Sequence, residues 1–311
     1  MNFTTIDCDM CGSEDYHILF RGKDLLMDLP GTFQFVECAK CGLLRQNPRL
    51  EWVDLLAYYQ DGYVPHLSQV KEGDSMIRSL VKRYGRWKRV RYINKYKSQG
   101  RWLDVGCGTG RILQEAQIWG KWELFGLEPV KEIADYTENR LGIHVFPKTF
   151  EQFNDEREKF DIITMWDVLE HLPSPTASLK HVSHLLKDDG IFVFSIPNAQ
   201  SLDRKIFNKF WVGYDLPRHL YVFPWDVLEK MVEEAGMMVV SSKCIAGTYA
   251  SFILSLSFYN RVTQSKILNM IVNRRAGYSL LRVISMLPFW MIDKLKLSTN
   301  ITFVVQKQKK S

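Results

Sequence analysis

The segment Leu103-Asp-Val-Gly-Cys-Gly-Thr-Gly110 places glycines at 106, 108 and 110. Without Cβ atoms at those positions the backbone can turn tightly and approach a ligand closely. The pattern is not a G-x-x-x-x-G-K-[ST] phosphate loop, because no Lys-Ser/Thr pair follows. Nor is it a clean G-x-G-x-x-G, since Arg111 and Leu113 stand where the third glycine would be. Eighteen residues beyond Gly110, Glu128 closes a second apolar run, Glu123-Leu-Phe-Gly-Leu-Glu128. An acid at a strand end accepts hydrogen bonds from both hydroxyls of a ribose. The plainer alternative is a structural turn and a surface glutamate.

A second cluster lies near the start. Cys8-x-x-Cys11 and Cys38-x-x-Cys41 are each followed by glycine, Gly12 and Gly42, and 26 residues separate the two pairs. Four thiolates converging from two tight turns are what a tetrahedral Zn2+ site needs, and four ligands close the coordination shell, which makes the ion structural. Redox C-x-x-C pairs open a helix in a thioredoxin-like unit, and no such unit is visible here. A module of this kind can also bind nucleic acid or act as a docking element. Cys107 and Cys244 read as ordinary buried thiols.

A third candidate is the stretch Trp211-Val-Gly-Tyr-Asp-Leu-Pro-Arg-His-Leu-Tyr-Val-Phe223, which packs Tyr214, Arg218, His219 and Tyr221 into one Pro-bounded loop. His219 is a candidate general base or orienting group, and the competing reading is a histidine bonded within a rigid loop. His171 is read as structural. Tyr58, Tyr59 and Tyr63 could lid a ligand, although aromatics at helical spacing more often pack in a core.

These residues need elements to position them. From Arg101 onward short apolar strands alternate with helices: Trp102–Val105, then a helix from Arg111; Glu123–Glu128, then one from Val130; Phe160–Met165, then one near Ala177–Leu186; and Ile191–Ile196. That alternation predicts a mostly parallel sheet with helices on both faces. Met237–Val240 and Ile301–Val305 are two more strand candidates, and helices should fill the gap between them. The expected divisions are a zinc-ribbon module at 1–48, a helical basic segment at 49–99, a core at 100–248 plus 297–311, and a helical basic-apolar insert at 249–296.

Composition bounds the reading. The chain has 311 residues, is 46% apolar and carries a net charge of +6. An apolar share of that size supports a substantial core and excludes a disordered or fibrous chain. The charge is uneven: ten basic residues and no acidic ones lie between Arg78 and Arg101. Seven more basic residues (Arg261, Lys266, Arg274, Arg275, Arg282, Lys294, Lys296) oppose only Asp293 between Tyr249 and Asn300. The first stretch reads as a solvated helix face whose aromatics Tyr84, Trp87, Tyr92 and Tyr96 pack inward. The second suits amphipathic helices that cap an acceptor or lie in a membrane interface. The opening residues hold neither a basic n-region nor an apolar h-region, so a cytoplasmic location is expected. No run reaches the roughly 18 apolar residues of a membrane span.

The strand, D-x-G-x-G-x-G loop and acidic strand end resemble the class I S-adenosylmethionine-dependent methyltransferases. Phe160-Asp-Ile-Ile-Thr-Met-Trp-Asp-Val-Leu-Glu-His171 and Leu185-Leu-Lys-Asp-Asp-Gly-Ile-Phe-Val193 are similar to that family's fourth-strand and fifth-strand regions. The resemblance spans about residues 100–245 and the last strand. It implies an α/β fold built on a Rossmann-like seven-stranded methyltransferase sheet, with a small zinc ribbon before it and a helical insert ahead of the final strand. It further implies that the loop with Asp104, Gly106, Cys107, Gly108 and Gly110 holds the methionyl part of the cofactor and that Glu128 holds its ribose. Thr149 would flank the adenine, and Trp166 and Asp167 would line the other side. The family has no universal catalytic residue.

The knuckle pair ahead of this core resembles a subgroup of bacterial surface-polysaccharide and deoxysugar pathways, some of whose members are sugar C-methyltransferases with a similar zinc-binding N-terminus. The long C-terminal domain of those enzymes is not seen here. Arg218-His-Leu-x-x-Phe223 resembles the region where they place a catalytic histidine, which points to His219. The expected activity is therefore O- or C-methylation of a small-molecule acceptor, a sugar or glycan intermediate that is nucleotide- or lipid-linked, with membrane contact through 249–296. Two rivals stand beside it. One is an RNA methyltransferase using the ribbon and basic helix, weakened because Met165-Trp-Asp-Val carries no N-P-P-Y and strand five no Pro-Cys. The other is a non-catalytic cofactor-binding scaffold.

Overall fold

The computed structural model describes residues 1–59, 76–154, 159–245, 248–266, 268–269 and 286–308. Tyr63, Arg274, Arg275 and Arg282 lie outside the described residues. Two compact units interleave along the chain: 1–59 with 196–228 and 243–302, and 60–195 with 229–242 and 303–311.

The first unit opens with β1 (Phe3–Thr4), β2 (Tyr16–Gly22), β3 (Phe33–Cys38), β4 (Leu44–Gln46) and β5 (Arg49–Leu50), then a short helix α1 (Trp52–Leu56). β1 and β5 pair antiparallel, so the segment read as helical from residue 49 starts as a strand and turns helical at Trp52. β2, β3 and β4 form an antiparallel sheet whose fourth strand, β11 (Tyr221–Val222), comes from far along the chain. Val36 and Phe35 of β3 are fully buried, and Phe35 packs edge-on against Tyr214.

The second unit carries the larger sheet. After α2 (Met76–Ile93) come β6 (Gln99–Val105), α3 (Arg111–Trp119), β7 (Lys121–Leu127), α4 (Lys131–Leu141), β8 (His144–Phe146), β9 (Phe160–Trp166), α5 (Pro175–Leu185) and β10 (Leu186–Pro197). The chain continues through α6 (Leu202–Phe207), α7 (Trp225–Glu234), β12 (Met237–Lys243), α8 (Thr248–Thr263), α9 (Met286–Lys294) and β13 (Asn300–Lys307). Seven strands line up as β12-β13-β10-β9-β6-β7-β8. The pairs β7–β8, β6–β7, β6–β9 and β9–β10 are parallel. Central strands covered on both faces are mostly apolar, and in β9 Phe160, Ile162, Ile163 and Met165 are all inaccessible, while buried Asp161 and Thr164 are hydrogen-bonded.

The helices start and stop on local signals. Ser174 caps α5 by accepting the Ala177 N–H at 3.2 Å, with Pro175 at the first position. Gly142, in the left-handed region at φ 64°, ends α4. In α2 the aromatics divide: Tyr92 is buried, whereas Tyr84 is exposed and stacks on Trp87. The expected inward packing holds for the end of this helix and fails at Tyr84. Among the described residues no helix is long and apolar enough to cross a membrane.

Candidate functional site

Loop 104–110 sits between β6 and α3, at the carboxyl ends of parallel strands, where open α/β sheets receive ligands. Gly106 at φ 67° and Gly108 at φ 51° occupy a region that side chains rarely adopt. A Cβ on Gly106 would meet Val168 Cγ2 at 2.8 Å, while one on Gly108 would point into open space. The loop is pinned from below. The Gly106 and Cys107 N–H groups donate to the Leu127 carbonyl, and Thr137 Oγ1 donates to the Gly108 carbonyl at 2.8 Å.

Glu128 directly follows β7, which stops at Leu127, one residue short of the strand end expected, and bonds directly to the loop. Its Oε2 accepts the Gly108 N–H at 3.0 Å, and its Oε1 accepts the Val130 N–H at 3.1 Å. Burial raises its pKa, and those two N–H groups oppose the rise. Each carboxylate oxygen keeps a second acceptor direction for a sugar hydroxyl. The carboxylate and the open space at Gly108 therefore fit the ribose and backbone of a nucleoside cofactor.

Asp104 forms the floor. It accepts from Thr164 Oγ1 at 2.5 Å, and Thr164 accepts from Trp102 Nε1 at 2.8 Å. Burial pushes its carboxyl up to about 7, against the pull of Thr164 and Arg89. Cys107 contributes backbone only. Its thiol is buried with a raised pKa, and a Cβ on Gly126 would meet its Sγ at 2.7 Å. Asp167 holds φ 56° and is fixed by Ser195, whose carbonyl accepts its N–H and whose hydroxyl donates to Oδ1. Thr149 lies just past β8, half-buried beside the core residue Phe150.

Arg89 belongs to this group, although by sequence it is one of ten basic residues in a single run. Its guanidinium carbon lies 4.9 Å from the centre of the Trp166 ring, a cation–π distance. One signal was available: Arg89 precedes buried Ile93 by one helical turn and so shares its inward stripe.

The first unit holds the four cysteines together. All four Sγ atoms lie within 4.8 Å of one another, with Cys8–Cys41 at 3.4 Å and Cys11–Cys38 at 3.6 Å. A tetrahedron of sulfurs around Zn2+ at about 2.3 Å has edges of about 3.8 Å, so this donor set fits one ion. The two knuckles repeat one geometry. Gly12 N–H donates to the Cys8 carbonyl and Gly42 N–H to the Cys38 carbonyl, with both glycines in the left-handed region. Burial raises the Cys8 thiol; burial also opposes ionisation of Cys38, but the N–H groups of Cys41 and Lys40 outweigh it and hold that thiol at about 6.

His219 lies in the same unit, in a loop held by long-range bonds. Gln46 Nε2 donates to the Pro217 carbonyl at 2.8 Å and the His219 carbonyl at 2.6 Å. Arg218 is enclosed by Asp24 and Asp215, and Tyr58 is a core residue whose carbonyl accepts from Arg218. His219 Nδ1 is 2.9 Å from the Gly213 carbonyl. A carbonyl only accepts, so Nδ1 donates to it, and Nε2 on the other side of the ring lies 3.9 Å from Asp215 Oδ2.

A family model described as a methyltransferase domain matches residues 77–242, more than half of the chain. The chain belongs to that family. Its domain is of the class I S-adenosylmethionine-dependent type. The ubiquinone biosynthesis O-methyltransferase of Actinobacillus pleuropneumoniae serotype 5b is 37% identical over 106 residues, covering 31% of this chain and 45% of that relative. The protein of the same name from Haemophilus ducreyi is 35% identical, over 31% of this chain and 44% of its own length. The matched part thus spans less than half the length of these curated relatives. A solved structure from Galdieria sulphuraria, described as a candidate sarcosine dimethylglycine methyltransferase, aligns with a TM-score of 0.50 at 15% identity. It covers 76% of this chain and 88% of that one, a likeness of fold alone.

Proposed function

We propose that the methyltransferase domain transfers a methyl group from S-adenosylmethionine to an oxygen of a small-molecule acceptor, and that this acceptor is a sugar or glycan intermediate. The observation that carries the cofactor reading is the Glu128 carboxylate bonded to the Gly108 N–H between adjacent parallel strand ends. The names of the curated relatives support oxygen as the receiving atom. The resemblance of the four-cysteine segment to deoxysugar-pathway enzymes supports a sugar. Bound S-adenosylmethionine supplies an already activated methyl group, so positioning supplies much of the rate.

The chain's residues would then divide the work. The backbone of 104–110 cradles the methionyl part, and Arg89 over Trp166 offers a cation to its carboxylate. Glu128 takes the ribose hydroxyls, and Thr149 flanks the base. His219 accepts the acceptor's hydroxyl proton as a general base. Cys8, Cys11, Cys38 and Cys41 hold one structural Zn2+. Leu287, Trp290 and Met291 of α9 are each more than half exposed, and Lys294 lies against Trp290, which supports contact with an anionic membrane face.

Calorimetry with S-adenosylmethionine tests the core of this reading, and absence of binding would sink it. A panel of nucleotide sugars and phenols with methyl-labelled cofactor then identifies the acceptor. On that acceptor, His219→Ala should lower kcat while leaving cofactor affinity intact; unchanged turnover removes His219 from the mechanism. Flotation with anionic liposomes tests α9, where equal recovery of the full chain and a 249–296 deletion would count against membrane contact.

A further inference from the structure

Two arginines of the first unit are completely buried, and they differ in how their charge is met. Arg218 is surrounded by anions. Nη1 and Nη2 donate to Asp24 at 2.9 and 2.7 Å, and Nε and Nη2 donate to Asp215 at 3.1 and 2.7 Å. Arg45 has nothing comparable. Its Nη2 lies 3.5 Å from the Ile6 carbonyl, at the edge of hydrogen bonding, and its Nε and Nη1 have no hydrogen-bond partner. Among the described residues no carboxylate pairs with it. A guanidinium cannot shed its proton, and burying it without an anion is costly.

The neighbours of Arg45 lie on the side of the sheet from which the knuckles rise. Arg45 of β4 stands opposite Val36 of β3, and Tyr16 of β2 stands opposite Cys38. Val36 and Cys38 are two residues apart, so Arg45, Val36, Tyr16 and Cys38 share one sheet face. The Arg45 guanidinium carbon is 5.8 Å from the centre of the Tyr16 ring. The Ile6 carbonyl it approaches is two residues before Cys8. The guanidinium is thus bracketed by the segments that enter both knuckles.

Four thiolates around a divalent ion carry a net charge of about −2. The knuckle N–H groups of Met10, Cys11, Lys40, Cys41 and Leu43 bond to the sulfurs, but neutral dipoles cannot cancel that charge. We propose that Arg45 is the buried counter-charge of the metal–tetrathiolate centre, a positively charged outer-shell residue that raises its affinity for Zn2+. This rests on the four cysteines holding zinc as proposed above. It accounts for a buried cation that has no carboxylate in a unit whose other buried arginine has two.

The test is Zn2+ competition against a chromophoric chelator at pH 7, using the full chain and the variants Arg45→Met, Arg45→Lys and Val36→Ala. Wild type should bind one Zn2+ per chain. Arg45→Met should bind about 10–100-fold more weakly, the usual cost of losing an outer-shell partner. Arg45→Lys keeps the charge and should stay close to wild type. Val36→Ala loosens the same sheet face without touching charge and should also keep its affinity. If Arg45→Met does not fold as apoprotein, the comparison is made on Co2+-loaded protein. The rate at which chelator removes the thiolate-to-metal absorption should then be faster for Met and wild-type-like for Lys. Wild-type affinity in Arg45→Met, or equal weakening in Arg45→Lys or Val36→Ala, overturns the proposal alone. A wild-type chain that takes up no metal overturns the zinc reading and this inference together.

Discussion

The glycine loop and the four-cysteine corner both converge on a ligand-sized cluster from nearby residues, but the elements that support them are tied over different distances along the chain. In the loop, the decisive bond joins Gly108 to Glu128, 20 residues apart across neighbouring parallel strands. In the corner, the second knuckle leads into β4, and Gln46 of β4 bonds Pro217 and His219, 171 and 173 residues away. Asp24 reaches Arg218 over 194 residues. A site built from adjacent β–α units depends on local turns and one sheet. A site whose supporting sheet is closed by distant segments depends on those long-range contacts as well, so damage there should spread further.

The largest effect expected from this contrast follows from removing the proposed metal ligands. Cys38→Ser with Cys41→Ser should abolish Zn2+ binding, and structural zinc contributes about 10–16 kcal/mol in small modules. Amide exchange should then become fast at Leu44–Gln46 and Tyr221–Val222, while calorimetric cofactor affinity of the glycine loop persists. Equal loss in both places would erase the contrast.

Asp24→Ala comes next. It leaves Arg218 buried with half of its charge partners, and breaking such a pair costs about 3–5 kcal/mol. Denaturant titration should show that loss, and a change under about 1 kcal/mol would mean that the triad is far better solvated than its burial implies.

The third effect belongs to the loop and depends on pH. Burial raises the Asp104 carboxyl from 3.8 to about 7. The folded chain therefore holds this proton more tightly than the unfolded one, and the contribution is lost as pH rises from about 4 through 7. Asp104→Asn should flatten that fall in thermal stability, worth at most about 4 kcal/mol. A slope identical to wild type would place the titration elsewhere. The smallest effect is expected from Glu128→Ala, which removes charged acceptors worth about 1.5–3 kcal/mol. Cofactor affinity should drop about 10–100-fold with little change in fold by circular dichroism.

Some of this architecture is visible in the order of residues. Alternating apolar runs and turn residues specify β6, β7, β9 and β10, whereas the three-residue β8 is too short to show a period, and Gly106, Gly108 and Glu128 stand out because each is set by its own strand end. The cysteine pairs are equally plain, since each knuckle needs only four residues and a following glycine. What is invisible is pairing at long range. Nothing near Tyr221 and Val222 marks them as the outer strand of a sheet begun at Tyr16, because a two-residue strand has no period to read. Arg89 was hidden in another way: a run of ten basic residues masks the one whose neighbours turn it inward.

Sequence alone determined which chemistry is available: the glycine turn, the acid at the strand end and the four thiols, all of which follow from local spacing. Tertiary structure alone decided which charges are met. Arg45 and Arg218 are indistinguishable as letters, and both are buried to the same degree. Only packing gives one of them two carboxylates and leaves the other facing the entries to the cysteine knuckles, because Coulomb partners are chosen by proximity in space, which the chain order does not encode.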